Sequence, residues 1–487
     1  MRKTDTIKMK ALQSAKWMII TSVVSMLFSY ASNIILGQIS PETLGTYSAI
    51  NVFIASLTTF VGMGGAVVLS NFFPKTDSEI KKTQLLFTYT AISFGMYVVF
   101  ALVVLLFPEM NELLSGGLDG AVKYVAVFVM APIFITMLVI AYLLVALLEA
   151  RISNIMSKLY TMLLPVVLFA VYVADKKFLE SHLSLIIMVT LISANSLAIC
   201  LGIIFLRKEK IISKAKGFYV PKGFWIFSLT TFLQALFSFL YKNADKMFLI
   251  SLDDIGQLGY YQAIISVLNL VEFIPSLLGN VTIPYFSNIM KFGDKKEVET
   301  SYSRIEKYML FFLISCVLGV ITLSDIALNM FGKGYIDYKY LLIILVVAKS
   351  IASLGFTNTP MMVTLEKNWL RLINSALQIF LQFTITVFTI QKLGILGVVL
   401  GRTIGVCAAQ IIPQLVIKYK SGYNIKISKA YFVGIICTSG LGIVQVLFDL
   451  NIVFSVLIGL AVWVIFLILG DFRKEDIKSM ANMILKK

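Results

Sequence analysis

The chain has 487 residues, of which 59% are hydrophobic and only 14% charged. Such a ratio excludes an ordinary soluble domain and suits a protein whose outer surface lies mostly in lipid. A net charge of +16 would point to nucleic acid in a soluble protein, but here the basic residues fall between apolar segments, so helix orientation accounts for them and no nucleic-acid partner is expected.

Taken in chain order, the opening MRKTDTIKMKALQSAK is basic and runs into an apolar segment at 14–36. That segment is longer than a signal-peptide core and lacks a small-residue cleavage pattern, so it reads as a first helix that stays attached. Further apolar segments follow at 45–70, 84–107, 122–148, 155–174, 183–206, 224–250, 257–284, 305–324, 338–364, 370–390, 394–417, 429–449 and 451–470. Each can cross the roughly 30 Å of bilayer hydrocarbon. The expected fold is therefore an all-α polytopic membrane protein with 14 transmembrane helices.

The connections sort by charge. Termini and even-numbered connections hold 32 of the 42 Lys and Arg residues, and the odd-numbered ones hold six. This alternation predicts a multi-pass protein with both termini in the cytoplasm. The basic connections read first as orientation signals and contacts for anionic lipid heads. Cys200, Cys316, Cys407 and Cys437 all lie in apolar segments without paired spacing, and the one histidine is His182. Neither a metal site, a disulfide, a cofactor nor acid-base catalysis is expected from this inventory, and no nucleotide-binding motif is present to support ATP hydrolysis.

The chain also resembles itself. IILGQISPETLGTYSAI (34–50) aligns with FLISLDDIGQLGYYQAI (248–264) at an offset of 214, placing Gly45 on Gly259 and Tyr47 on Tyr261. LLEARISNIMSKL (147–159) aligns with TLEKNWLRLINSA (364–376) at an offset of 217. Spans 1–6 and 7–12 thus read as two copies of a six-helix unit. Six is even, so the copies run in the same sense, related by an axis along the membrane normal. The expected division is an N-terminal lobe (1–210), a C-terminal lobe (211–420), and an accessory pair of helices with a tail (421–487). VGMGGAV (61–67) in span 2, with Pro275 and Gly279 in the matching part of span 8, suggests broken helices; Pro132, Pro165, Pro360 and Pro413 interrupt other spans.

Charges inside the hydrocarbon fall only in the second copy: Lys242, Asp245, Lys246, Glu272, Lys349 and Arg402. Each costs about 2.5–3.5 kcal/mol at a helix centre on insertion scales, so such groups face a bundle interior or a wet cavity. Lys242 and Lys246 share a helix face, with Asp245 three residues from Lys242. Four cations against two carboxylates leave a surplus of two positive charges. A cavity of that character attracts phosphate, which Arg grips as a fork and Lys as a point charge. Lys242, Lys246, Lys349 and Arg402 are the candidate substrate-binding cations; Asp245 and Glu272 are candidate charge partners or ion-coupling groups. Internal salt bridges, Lys349 with Glu272 for example, and snorkelling of Lys242 and Lys246 are the structural alternatives.

Three stretches carry a family resemblance: LGQISPETLGTYSAINVFIASLTTFVGMGGAVVLSNF (36–72), NADKMFLISLDDIGQLGYYQAI (243–264), and the segment 330–405 with its MFGKGY opening and late GILGVVLG. Over about residues 10–417 the chain resembles the Wzx-type polysaccharide flippases of the multidrug/oligosaccharidyl-lipid/polysaccharide exporter superfamily. The resemblance implies a bacterial inner-membrane transporter that moves an undecaprenyl-diphosphate-linked oligosaccharide to the outer leaflet by alternating access, for O-antigen, lipopolysaccharide, capsule or exopolysaccharide synthesis. Implied partners are that lipid-linked glycan, membrane lipid, and the polymerase and chain-length regulator of the same pathway. Coupling to H+ or Na+ is left open. A lipid II flippase would carry several arginines in the first half, which is empty of membrane charge here. A cation-coupled drug exporter would want an acidic site, and a polysaccharide polymerase or ligase a large catalytic outer loop.

Overall fold

A computed structural model describes residues 3–472 apart from 77, 116–119, 148, 209–216, 253, 293, 366–367, 421 and 449. Among the described residues every regular element is helical. In order these are α1 (Lys3–Ile39), α2 (Pro41–Phe60), α3 (Gly65–Phe72), α4 (Glu79–Leu106), α5 (Pro108–Ser115), α6 (Gly120–Tyr124), α7 (Ala131–Ala146), α8 (Ala150–Ala174), α9 (Lys176–Ser181), α10 (Leu183–Lys208) and α11 (Phe224–Ile250). They continue with α12 (Ile255–Phe292), α13 (Lys295–Thr322), α14 (Ser324–Asn329), α15 (Lys339–Ile351), α16 (Gly355–Thr364), α17 (Asn368–Leu393), α18 (Ile395–Ala408), α19 (Ile411–Lys420), α20 (Lys429–Leu447) and α21 (Ile452–Leu469).

Thirteen helical segments among the described residues are long and apolar enough to cross a membrane. Thirteen of the fourteen expected spans have a counterpart in this set. The other expected segment, 257–284, forms the middle of the 38-residue α12, whose side chains are described only in part.

Local chemistry sets the helix ends and breaks. Ser40 caps α2 by accepting the Thr43 N–H at 3.2 Å, with Pro41 at the first helical position. Asp175 caps α9 through the Phe178 N–H (3.0 Å), and Asp294 caps α13 through the Glu297 N–H (2.7 Å). The break expected in span 2 is present: α2 stops at Phe60, Met63 and Gly64 take positive φ values of 41° and 67°, and α3 restarts at Gly65. Its counterpart is unbroken, since α12 runs through Pro275 as one helix. A π-helical turn at Val125–Met130 precedes Pro132, and a 3-10 turn at Ala352–Leu354 separates α15 from α16.

The chain divides into two compact units, residues 1–262 and 263–487, with the division inside α12. In the first unit α8 packs on α1, α7 and α10, while α2 packs on α1, α5 and α11. Leu36, Leu44, Ile50, Phe53 and Leu57 are buried there. In the second unit α13, α15 and α20 pack mutually around Leu310, Ile314, Val317, Leu345 and Leu441, and α21 lies on α13 and α20. Large apolar side chains such as Phe169, Ile204, Phe388, Ile436 and Ile468 are exposed, which is the surface a lipid solvent requires.

Candidate functional site

In the first unit, α11 carries Lys242, Asp245 and Lys246. Asp245 is buried and accepts the Tyr261 hydroxyl from α12 as well as the Lys246 N–H at 2.9 Å. Tyr261, which the repeat aligned with Tyr47, therefore supplies the charge-assisted hydrogen bond that lets a carboxylate sit there. Lys242 is exposed at the helix surface and Lys246 is half-buried. A further cation joins them. Lys158, inside the expected span 155–174, lies in α8 about 12 Å along the helix from its start. Its ammonium group and that of Lys242 repel one another. The signal for Lys158 was available, because the apolar pattern of span 5 extends back past it.

Beside this group the two repeat copies touch with two-fold reciprocity. A Cβ on Gly45 would lie 2.0 Å from the Ile255 carbonyl oxygen, and a Cβ on Gly259 would lie 1.8 Å from the Pro41 carbonyl oxygen. Position 41 aligns with 255 and 45 with 259, so each glycine receives the backbone of the other copy's equivalent turn. Ser48 donates to Gln262 at 2.9 Å, again a pair related by the offset of 214, and the Gln262 amide donates to Asn33 at 3.1 Å. Reciprocal contact of equivalent residues is the mark of a parallel repeat about a two-fold axis.

In the second unit, Lys349 on α15 is buried and ion-paired with Glu272 on α12, the structural alternative weighed from sequence. Arg402 on α18 is also buried, with 6% of its surface exposed. Its helix is pressed against α17 through Gly397, Gly401 and Gly405; a Cβ on Gly401 would lie 2.2 Å from the Thr386 hydroxyl. That close approach brings polar side chains inward. Gln382, Thr386 and Thr403 are buried around α17 and α18 without a hydrogen-bond partner among the described residues, as are Ser350 and Ser353 next to Lys349. Polar groups so placed call for water or a polar ligand. The sequence singled out Lys349 and Arg402 but not these neutral groups, which look like ordinary membrane Ser, Thr and Gln. Among the described residues no cluster of His, Cys, Asp and Glu could hold a metal ion.

Long apolar helices with interrupted spans, a reciprocal internal repeat and buried cations describe a multi-pass helical membrane protein. Solved structures share the fold. Lipid II flippase MurJ in an inward closed conformation matches over 96% of this chain and 99% of its own, with a TM-score of 0.71 and 16% identity. An inward-facing multidrug resistance MATE family transporter of the MOP superfamily matches over 86% of this chain and 95% of its own, with a TM-score of 0.60 and 16% identity. A MOP superfamily transporter from Pyrococcus furiosus, described as having a binding pocket of reverse polarity, matches over 89% and 96%, with a TM-score of 0.60 and 15% identity. No curated protein matches significantly by sequence. The family model for polysaccharide biosynthesis proteins matches residues 11–290, and the chain belongs to that family.

Proposed function

We propose that this protein carries an undecaprenyl-diphosphate-linked oligosaccharide across the bacterial cytoplasmic membrane, from the inner to the outer leaflet, with N and C termini in the cytoplasm. The observation that carries the reading is the burial of Lys349 and Arg402 in the second unit, on and near helices that also carry buried polar side chains without a hydrogen-bond partner among the described residues, a combination suited to a phosphorylated head group. In the first unit, Lys242 and Lys246 with the neighbouring Lys158 add further positive charge. Asp245 and Glu272 act as charge partners or as groups that couple transport to H+ or Na+, and no other cofactor takes part. The six-helix copies 1–210 and 211–420 are the evolutionary halves, with 421–487 an accessory region. A lipid II flippase is the second reading, favoured by the likeness to MurJ along nearly the whole chain.

The test uses the purified protein in vesicles of phosphatidylethanolamine and phosphatidylglycerol containing a fluorescent undecaprenyl-diphosphate-linked oligosaccharide, with leaflet exposure read by an impermeant quencher. Wild-type protein should accelerate exchange, and Lys349→Ala and Arg402→Ala should slow it at least tenfold, the loss of one charge-assisted contact at about 1.4 kcal/mol. Vesicles with lipid II as probe decide the second reading. Unchanged exchange in both variants, or transport of ethidium in preference to either lipid, would overturn the proposal.

A further inference from the structure

A basic cavity lined by none of these residues lies where the start of α13 meets the connection between α19 and α20. Two carboxylates hold that connection along the helix. Glu299 accepts the Asn424 N–H at 2.6 Å, and Glu306, two turns further on, accepts the Ser428 N–H at 3.2 Å. The strand of chain so pinned closes one side of a cavity of about 460 Å3. Arg304 and Lys307 from α13 and Lys426 from the connection line it, with Glu299 as the one lining carboxylate, so the lining carries a surplus of two positive charges. Arg304 and Lys426 have no ion-pair partner among the described residues. Lys307 is already oriented: it donates to the Asp471 carbonyl oxygen at 2.6 Å and lies 5.3 Å from the centre of the Phe472 ring. Tyr302 and Tyr308 form the apolar wall.

The position matters as much as the charge. The uninterrupted apolar run of α13 begins at Met309, immediately after the lining residue Tyr308, so the lining cations stand at the height of lipid head groups. A guanidinium fork, two ammonium groups and a tyrosine wall at that height match a phosphate monoanion with a short polar substituent.

We propose that this cavity binds a phosphate-bearing anion at the membrane interface, of the kind an anionic phospholipid head group presents. Lys307, which also holds the Asp471 carbonyl oxygen, sets this site against the end of α21.

The experiment compares wild type with Arg304→Ala/Lys426→Ala in detergent, adding phosphatidylglycerol, phosphatidylcholine or inorganic phosphate alone, and reads thermal midpoint and lipid adducts by native mass spectrometry. A ligand bound only to the folded state raises the midpoint. Phosphatidylglycerol should raise it in wild type and be retained as an adduct, with affinity about tenfold weaker or more in the double variant. The conservative pair Arg304→Lys/Lys426→Arg should keep the adduct, and the double variant without lipid should melt as wild type does. If inorganic phosphate alone raises the midpoint in the same residue-dependent way, the anion is free phosphate and the site stands. Equal retention of phosphatidylglycerol and phosphatidylcholine, or an unchanged phosphatidylglycerol response in the double variant, overturns it.

Discussion

At the scale of single residues, the buried ion pair and the buried acid behave differently from free charges in a cavity. Lys349 is buried, whereas the Glu272 side chain keeps 32% of its surface exposed. Removing Lys349 alone strands a carboxylate whose solvation is incomplete, and the cost falls below the ~3–5 kcal/mol of a fully buried broken pair. Lys349→Met should lower stability by about 2 kcal/mol, and Lys349→Met/Glu272→Gln should recover most of it. Thermal midpoints in detergent measure this. Transport separates the roles: a recovered fold with no recovered exchange marks Lys349 as a substrate contact, and recovered exchange marks it as scaffold. For Asp245, the substitution to Asn keeps an acceptor for the Tyr261 hydroxyl, whereas Asp245→Leu removes that acceptor from a buried position. The expected gap between the two variants is about 1–3 kcal/mol, read from the same melts. The six membrane charges were visible in the sequence because a charge inside an apolar segment stands out. The pairing of Lys349 with Glu272 was already among the sequence alternatives and is present, whereas Tyr261 as the partner of Asp245 was not legible, because it reaches that carboxylate only when separate helices meet.

At the scale of helices, glycine placement controls how closely backbones approach. Gly45 and Gly259 each face a carbonyl oxygen of the opposite repeat copy, so an added methyl must push α2 and the start of α12 apart. Gly45→Ala and Gly259→Ala should each cost about 1–3 kcal/mol, in similar amounts because the contact is reciprocal. Gly95, in the middle of α4, meets nothing within 4 Å, and Gly95→Ala should be neutral or stabilise by up to about 1 kcal/mol. Unequal effects at 45 and 259 in transport and melting assays would contradict the two-fold reading. The repeat itself was legible from the aligned Gly, Leu, Tyr and Ala positions. The break after Phe60 was legible from VGMGGAV, where Gly64 accepts a left-handed backbone. The continuity of α12 through Pro275 was not legible, since a membrane helix can absorb a proline when its neighbours satisfy the freed carbonyl.

At the scale of the whole molecule, the charge alternation predicts a topology that labelling can check. With native cysteines replaced, a membrane-impermeant maleimide applied to intact cells should label cysteines placed at 176 and 333, and should label those at 75, 222 and 426 only after the membrane is opened. Labelling of position 426 from outside would also move the basic cavity beside α13 to the other face. The apolar outer surface and the family membership follow from long segments, each of which carries its own signal: an apolar stretch must be helical in lipid wherever it packs.

What the sequence determined by itself is whatever a segment decides alone: helix count to within the one segment of α12, the repeat, and which segments carry charge inside an apolar stretch. Tertiary structure alone decided which groups meet. It gave Tyr261 to Asp245, brought Lys158 toward Lys242, set Gln382 and Thr386 against the glycines of α18, and folded the chain before α20 over Arg304. Hydrophobic burial is additive along a segment and can be read from it. Pairing of polar groups depends on distances of a few ångströms between residues far apart in the chain, and only the packed helices set those distances.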